Sequence, residues 1–510
     1  MRSKKALKNI IASVLLQVIT VICGFIVPRL IIKNFGSDVN GLVTSITQFL
    51  AYITLLESGF GPVVKSILYK PIANKNKSEI EKILKASEKF FRTISYIFIV
   101  YIIALSIALP NIVSNEFDKL FTLSLVVIIS ISTFAEYFFG MTYKLYLQAE
   151  QKTYIASSIQ MGTTILNTIM TILLIYLGAN IQVVKLISAT IFIFRPILQN
   201  LYVKKKYKIN LKNVNENYKI KQKWDGLAQH LAYVVHSNTD VVILTIFSNT
   251  TEVSVYSVYL LIVNGVKNLV QAFTGGVDAS FGDMIAKGEK KFLNNSFETY
   301  ELFYMTIATI AFATVLQVIL PFVSVYTRGI IDANYYRPTF AYLLVISEFF
   351  WTIRQPYNDL VKAAGHFKET RKGAWVEAIS NIIISIILVW ELGIVGVAIG
   401  TLVAMIIRTV EFMYHTNKYI LERKQISSVK RVALIAIEIL IIVGLSKLLP
   451  TIEMASYKSW IMYGCMIAII SIIVIVPINL IIYKEDTKQL LNIIKNNFLK
   501  RKVKNIWTHI

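Results

Sequence analysis

Apolar residues in this chain do not alternate with polar ones. They run on, in some fourteen Ile/Leu/Val-rich stretches of about twenty residues or more, and that habit decides what the chain can fold into. In hydrocarbon every backbone N–H and C=O must find its partner within the segment, so stretches of this length are transmembrane helices; barrel strands would be shorter and would alternate in polarity. A hydrophobic fraction of 55% and a mean hydropathy of +0.59 exclude an ordinary soluble enzyme. The expected fold is all-α, a polytopic membrane protein of about fourteen transmembrane helices.

Charge sets the expected orientation. Most of the 53 Lys and Arg residues fall in alternate loops, which the positive-inside rule retains in the cytoplasm, and both Met1–Lys8 and the tail from Lys484 belong to that set. The same clustering explains the net charge of +23 without a nucleic-acid partner. The apolar run after Lys8 is too long for a signal peptide and lacks a small-residue cleavage site, so it reads as an uncleaved first span. Cys23 and Cys465 both fall inside spans, which gives no disulfide framework. The five histidines form no sequence cluster: His230 and His236 are not spaced to share a helix face and have no HExxH context. No metal and no cofactor are expected.

A faint internal repeat organises the spans. Glu136, Tyr137 and Phe138 match Glu348, Phe349 and Phe350, and the turn Leu147–Tyr154 parallels Lys362–Thr370. The expected domains are an N-terminal lobe of spans one to six (1–203), a basic cytoplasmic linker (204–225) and a C-terminal lobe of spans seven to twelve (226–417). Spans thirteen and fourteen (431–483) and a basic amphipathic cytoplasmic tail (484–510) follow. Ser78–Phe91 and 487–507 are amphipathic and are expected to lie on the membrane surface. No outer loop exceeds about a dozen residues, which leaves no room for an extracytoplasmic catalytic domain.

Polar residues inside the spans recur at helical spacing. The eighth span carries Asn264, Lys267, Gln271, Gly275 and Asp278 on one face, the tenth Ser347, Trp351, Arg354 and Asn358, and the second Thr47, Thr54, Glu57, Gly61 and Lys65. The seventh span adds Gln229, Tyr233, His236 or Ser237, and Asp240. An intramembrane cation costs about 2.5–3.5 kcal/mol even on the lenient insertion scale, so such faces must look into the bundle or into water. For any one charge, interhelical ion pairing is explanation enough. As a set, Arg29, Lys65, Lys267, Arg354, Arg195 and Arg408 describe a cationic cavity for a phosphate-bearing substrate. Glu57, Asp240, Gln271, Asp278 and Glu348 would tune its charge or carry a coupling ion, with Lys267 and Arg354 as leading substrate ligands.

Two segments, Phe35–Gly61 (FGSDVNGLVTSITQFLAYITLLESGFG) and Ala363–Thr401 (AAGHFKETRKGAWVEAISNIIISIILVWELGIVGVAIGT), resemble signature stretches of bacterial Wzx-type polysaccharide flippases. These belong to the multidrug/oligosaccharidyl-lipid/polysaccharide exporter superfamily. The resemblance implies a transporter, not an enzyme, that moves a polyprenyl-pyrophosphate-linked oligosaccharide from the inner to the outer leaflet of the cytoplasmic membrane by alternating access. Its implied partners are that lipid, membrane lipids, and the polymerase and glycosyltransferases of capsule or cell-surface polysaccharide synthesis. In the related peptidoglycan-precursor flippases, arginines of the first, second and eighth spans line the cavity, and Arg29, Lys65 and Lys267 occupy similar spans here. A peptidoglycan-precursor flippase and a drug/cation antiporter of the same superfamily are the alternatives. The antiporter would prefer an acidic cavity, and a membrane glycosyltransferase or polymerase is disfavoured by the short outer loops.

Overall fold

A computed structural model describes residues 2–57, 59–211, 214, 227–272, 277–449 and 456–490. The chain folds as two compact units. Among the described residues eleven helices are long and apolar enough to cross a membrane, and Tyr233–Phe247 is a shorter apolar one. The chain is thus an all-helical, multi-pass membrane protein.

The first unit comprises 1–261, 329–334 and 386–397. It is built from α1 (Arg2–Phe35), α2 (Ser37–Ala51), α3 (Thr54–Glu57), α4 (Phe60–Ala73), α5 (Lys77–Ile112) and α6 (Lys119–Ala135). A π-helical turn at Glu136–Gly140 leads into α7 (Met141–Ala149), followed by α8 (Thr153–Tyr176), α9 (Ile181–Tyr207), α10 (Leu227–Phe247) and the first half of α11 (Thr250–Gln271). Asn76, Asp118 and Asn180 cap α5, α6 and α9 by accepting hydrogen bonds from first-turn amides. The second apolar stretch is not one rod, because Gly59 takes the left-handed conformation (φ 79°) between α3 and α4.

With no hydrophobic gain from burying apolar faces in lipid, close backbone approach and side-chain hydrogen bonds carry helix association. A Cβ on Gly41 would lie 1.7 Å from the Thr250 carbonyl oxygen, so α2 and the start of α11 touch through their backbones. Nearby, Asn40 donates to Ser254 at 2.8 Å, and the hydroxyls of Ser45 and Thr245 meet at 2.6 Å. The amphipathic stretch Ser78–Phe91 departs from expectation. It is the opening of the continuous helix α5, and its apolar residues Ile80, Ile83, Leu84 and Phe91 are buried against the protein, not against a lipid surface.

The second unit comprises 262–328, 335–385 and 398–510. After the end of α11 come α12 (Val277–Ala286), α13 (Lys290–Tyr326), α14 (Pro338–Ile353), α15 (Gln355–Ala363), α16 (Arg371–Leu392) and α17 (Ile394–His415). A π-helical turn at Thr416–Ile420 precedes α18 (Ile426–Ser446) and α19 (Tyr457–Ile482). The expected tenth span divides at Arg354, which ends α14 and begins α15. The expected thirteenth, α18, carries Lys430, Arg431 and Glu438. Most of the linker at 204–225 and the tail beyond 490 lie outside the described residues.

Candidate functional site

Four of the sequence-predicted residues meet in the second unit. Lys267 on α11 donates to Glu348 Oε2 on α14 at 2.8 Å, and its Nζ lies 4.6 Å from the centroid of the Trp351 ring. Arg354, at the α14–α15 joint, approaches the same ring at 5.8 Å and donates from Nη1 to Glu377 Oε1 on α16 at 2.8 Å. Arg408 on α17 reaches Glu377 Oε2 from Nε at 3.1 Å. Its Nη1 donates to the Thr370 carbonyl at 2.9 Å and to Glu411. Three basic and three acidic side chains, Lys267, Arg354 and Arg408 against Glu348, Glu377 and Glu411, therefore form one connected and formally neutral array, with Trp351 between its two halves.

The cations of this array are paired, not bare. Arg354 is 7% and Arg408 2% exposed, and each is answered by a carboxylate, because an uncompensated buried charge would cost several kcal/mol. The neighbourhood is built around that pairing. A Cβ on Gly373 would sit 2.0 Å from the Glu411 carboxylate, so α16 leaves the space of one side chain to its neighbour's acid.

Immediately beside Lys267 on α11, Ile262, Val266 and Leu269 form one wall of an apolar groove of about 540 Å³, with Ile310 and Val318 of α13 and Trp460 of α19 opposite. Trp460 is fixed by donating from Nε1 to the Val318 carbonyl at 3.0 Å. One helix thus presents an intramembrane cation and an acyl-sized apolar channel within a turn of each other.

The other predicted residues belong to several further helices. In the first unit Arg195 donates to Thr163 at 2.6 Å and Thr164 at 2.8 Å, and lies 4.1 Å from the Phe192 ring. Glu57 accepts from the Tyr137 hydroxyl at 3.1 Å, and Asp240 from Tyr256 at 2.8 Å. Arg29 and Lys65 are both half-buried, on α1 and α4. In the second unit Gln271 closes α11, while the side chain of Asp278 and residue Gly275 lie outside the described residues.

Sequence reading missed Glu377 and Glu411, which hold the arginines, and a second ion-pair cluster. There Glu301, 1% exposed, takes Arg423 and Arg431 at 3.0 Å each and accepts from Tyr357. Asp486 joins through Arg431 at 3.5 Å; burial pushes its carboxyl above the usual range, with Arg431 pulling it back. It also missed that His366, in the turn after α15, and His415, at the end of α17, meet at 3.0 Å. Among the described residues no group of three or more His, Cys, Asp and Glu side chains is arranged to hold a metal ion.

No protein-family model matches the sequence, and no curated protein matches it either. Solved structures do match. The lipid II flippase MurJ in an inward closed conformation superposes with a TM-score of 0.66 at 16% identity, over 91% of this chain and 97% of that one. An inward-facing multidrug resistance MATE family transporter of the MOP superfamily gives 0.58 at 16% identity, over 79% and 94%. The Vibrio cholerae MATE transporter VcmN in its bent form gives 0.53 at 14%, over 82% and 97%. This chain has the fold of those transporters.

Proposed function

We propose that the protein flips a polyprenyl-pyrophosphate-linked oligosaccharide across the bacterial cytoplasmic membrane by alternating access, as a transporter and not an enzyme. The observation that carries this reading is the placement of Lys267, an intramembrane cation beside an apolar groove on the same helix. A lipid with an anionic headgroup and a long isoprenoid tail has that polarity. The tail would lie in the groove while the pyrophosphate takes Lys267 from Glu348, one charge-assisted hydrogen bond replacing another. Losing Lys267 would leave the Glu348 carboxylate, 4% exposed, without its cation at a cost of several kcal/mol, so in this reading Glu348 takes up a proton as the headgroup binds. Arg354, which approaches the same Trp351 ring, is the second cation of this proposed site, and the six-plus-six pseudo-repeat of the sequence supplies two like elements for alternating access. The basic linker at 204–225 and the tail at 484–510 place both termini on the cytoplasmic side in this reading.

One observation favours a second substrate of the same chemistry. The lipid II flippase likeness spans 91% of the chain, so a peptidoglycan precursor is the alternative cargo. Reconstituted into liposomes with a fluorescent polyprenyl-pyrophosphate oligosaccharide, the protein is expected to move label between leaflets. Lys267→Ala should lose that movement tenfold or more, whereas Glu348→Gln should still bind the headgroup. Wild-type rates in Lys267→Ala would refute the site. A lipid bearing a peptide-substituted disaccharide, added as competitor, separates the two cargoes. Lys267→Ala and Arg354→Ala each strip a buried acid, Glu348 or Glu377, of a partner, so each is read beside its folded yield.

A further inference from the structure

The first unit encloses a cavity of about 500 Å³ that the proposed transport site does not use. It is lined from six α-helices, α1, α2, α3, α6, α8 and α9, and from the π-helical turn. Its residues include one charged side chain, Lys185, on α9, four residues from the start of that helix. The intramembrane cations Lys267, Arg354, Arg408 and Arg195 are each held by a carboxylate or by hydroxyls. Lys185 is half-buried and makes no ion pair or hydrogen bond among the described residues. No Asp or Glu is among the residues that line the cavity.

A second group points the same way. Asn167, on α8, is 9% exposed, lines the same cavity, and its Oδ1 has no hydrogen-bond partner. The hydroxyls of Thr133 on α6 and Ser188 on α9 also make no hydrogen bond among the described residues. A buried amide oxygen left unmatched costs about 1–3 kcal/mol, a cost that evolution rarely leaves standing without a ligand or water to meet it. The rest of the wall holds Thr47, Thr54 and Ser132, whose hydroxyls donate to nearby backbone carbonyls, and apolar and aromatic side chains that include Phe192 on α9 and Tyr137 in the π-helical turn.

We infer that this cavity binds a carboxylate-bearing sugar, with Lys185 taking the carboxylate, Asn167, Thr133 and Ser188 taking ring hydroxyls, and Phe192 covering an apolar sugar face. At roughly 30 Å³ per water the volume holds on the order of fifteen water-sized atoms, about one hexuronate. Phosphate fits less well, since a single ammonium with neutral hydroxyls matches one negative charge better than two. As a statement about cargo the inference rests on the saccharide-lipid reading and deepens it to acidic repeat units. As a statement about binding it stands without transport.

Thermal unfolding of the purified full-length protein in detergent tests it, with sodium glucuronate, glucose, sodium acetate and sodium chloride at matched ionic strength. Glucuronate should raise the melting temperature saturably, with glucose and acetate at least tenfold weaker. Lys185→Met should remove the shift, Lys185→Arg should keep part of it, and Asn167→Leu should weaken it. Should Lys185→Met fail to elute as a folded species, the other two variants carry the comparison. Glucuronate acting like chloride, or a shift unchanged by the variants, overturns the site. Acetate acting as strongly as glucuronate overturns the sugar. If the glucuronate shift appears but the protein moves no saccharide lipid in liposomes, the proposed function fails while this site stands.

Discussion

The basic residues of the second unit and Lys185 of the first meet the same cost of charge in hydrocarbon in opposite ways. Arg354 and Arg408 share Glu377, and Arg408 holds Glu411 as well; both guanidinium groups have an acid in place. Lys185 opens onto a cavity lined by hydroxyls, an amide and apolar side chains. The contrast teaches that intramembrane charge is not one signal. The Arg354–Glu377–Arg408 charges tie helices to one another, whereas Lys185 faces a space that a ligand could fill.

The sharpest way to break this distinction is to unbalance the saturated cluster. Glu377→Ala leaves two buried arginines short of one carboxylate and should destabilise the second unit by about 3–5 kcal/mol, read as a large drop in detergent melting temperature and folded yield. A drop no greater than that of a surface variant would erase the contrast. Next in size is Gly373→Ala, whose new methyl must displace a Glu411 carboxylate pinned by Arg408. It should cost about 1–3 kcal/mol, and the cost should shrink in a Glu411→Ala background if the clash is its cause. Lys185→Met should go the other way, neutral or stabilising by up to about 1 kcal/mol without ligand, because it removes an unanswered cation from a span. A marked loss of stability there would mean that Lys185 is structural. At the bottom of the scale, Lys287→Ala breaks an exposed helical pair, Lys287–Asp283 at 2.6 Å, and should leave the melting temperature unchanged, because water and salt already screen it.

The helical, membrane-spanning character was legible because uninterrupted apolar runs admit one answer in lipid. The stripes were legible too: Lys267, Trp351 and Arg354 were picked out by helical spacing, and the structure brings them together. What the stripes could not reveal was the neutralising partner. Glu377 and Glu411 sit on other helices, and helical spacing says which side chains share a face, not which faces meet. Lys185 carries little signal in the sequence, because only Ser188 shares its helix face and its other companions, Thr133 and Asn167, come from two other helices. The surface assignment of Ser78–Phe91 failed for a related reason. An amphipathic face states that it must be covered, and here protein covers it.

The junction at Arg354 carries a mechanical consequence. Pro356, in the first turn of α15, has no amide hydrogen to offer the carbonyl four residues earlier, so one rung of the backbone ladder is missing where the two rods join. Stiffness is lowest at that point, and the side chain sitting on it is the one clamped to Glu377. Releasing the clamp would free the hinge, so the same carboxylate that neutralises a charge also latches a pivot, and spin labels placed either side of it, at exposed Ile346 and Phe367, should show a broader distance distribution once Glu377 is gone.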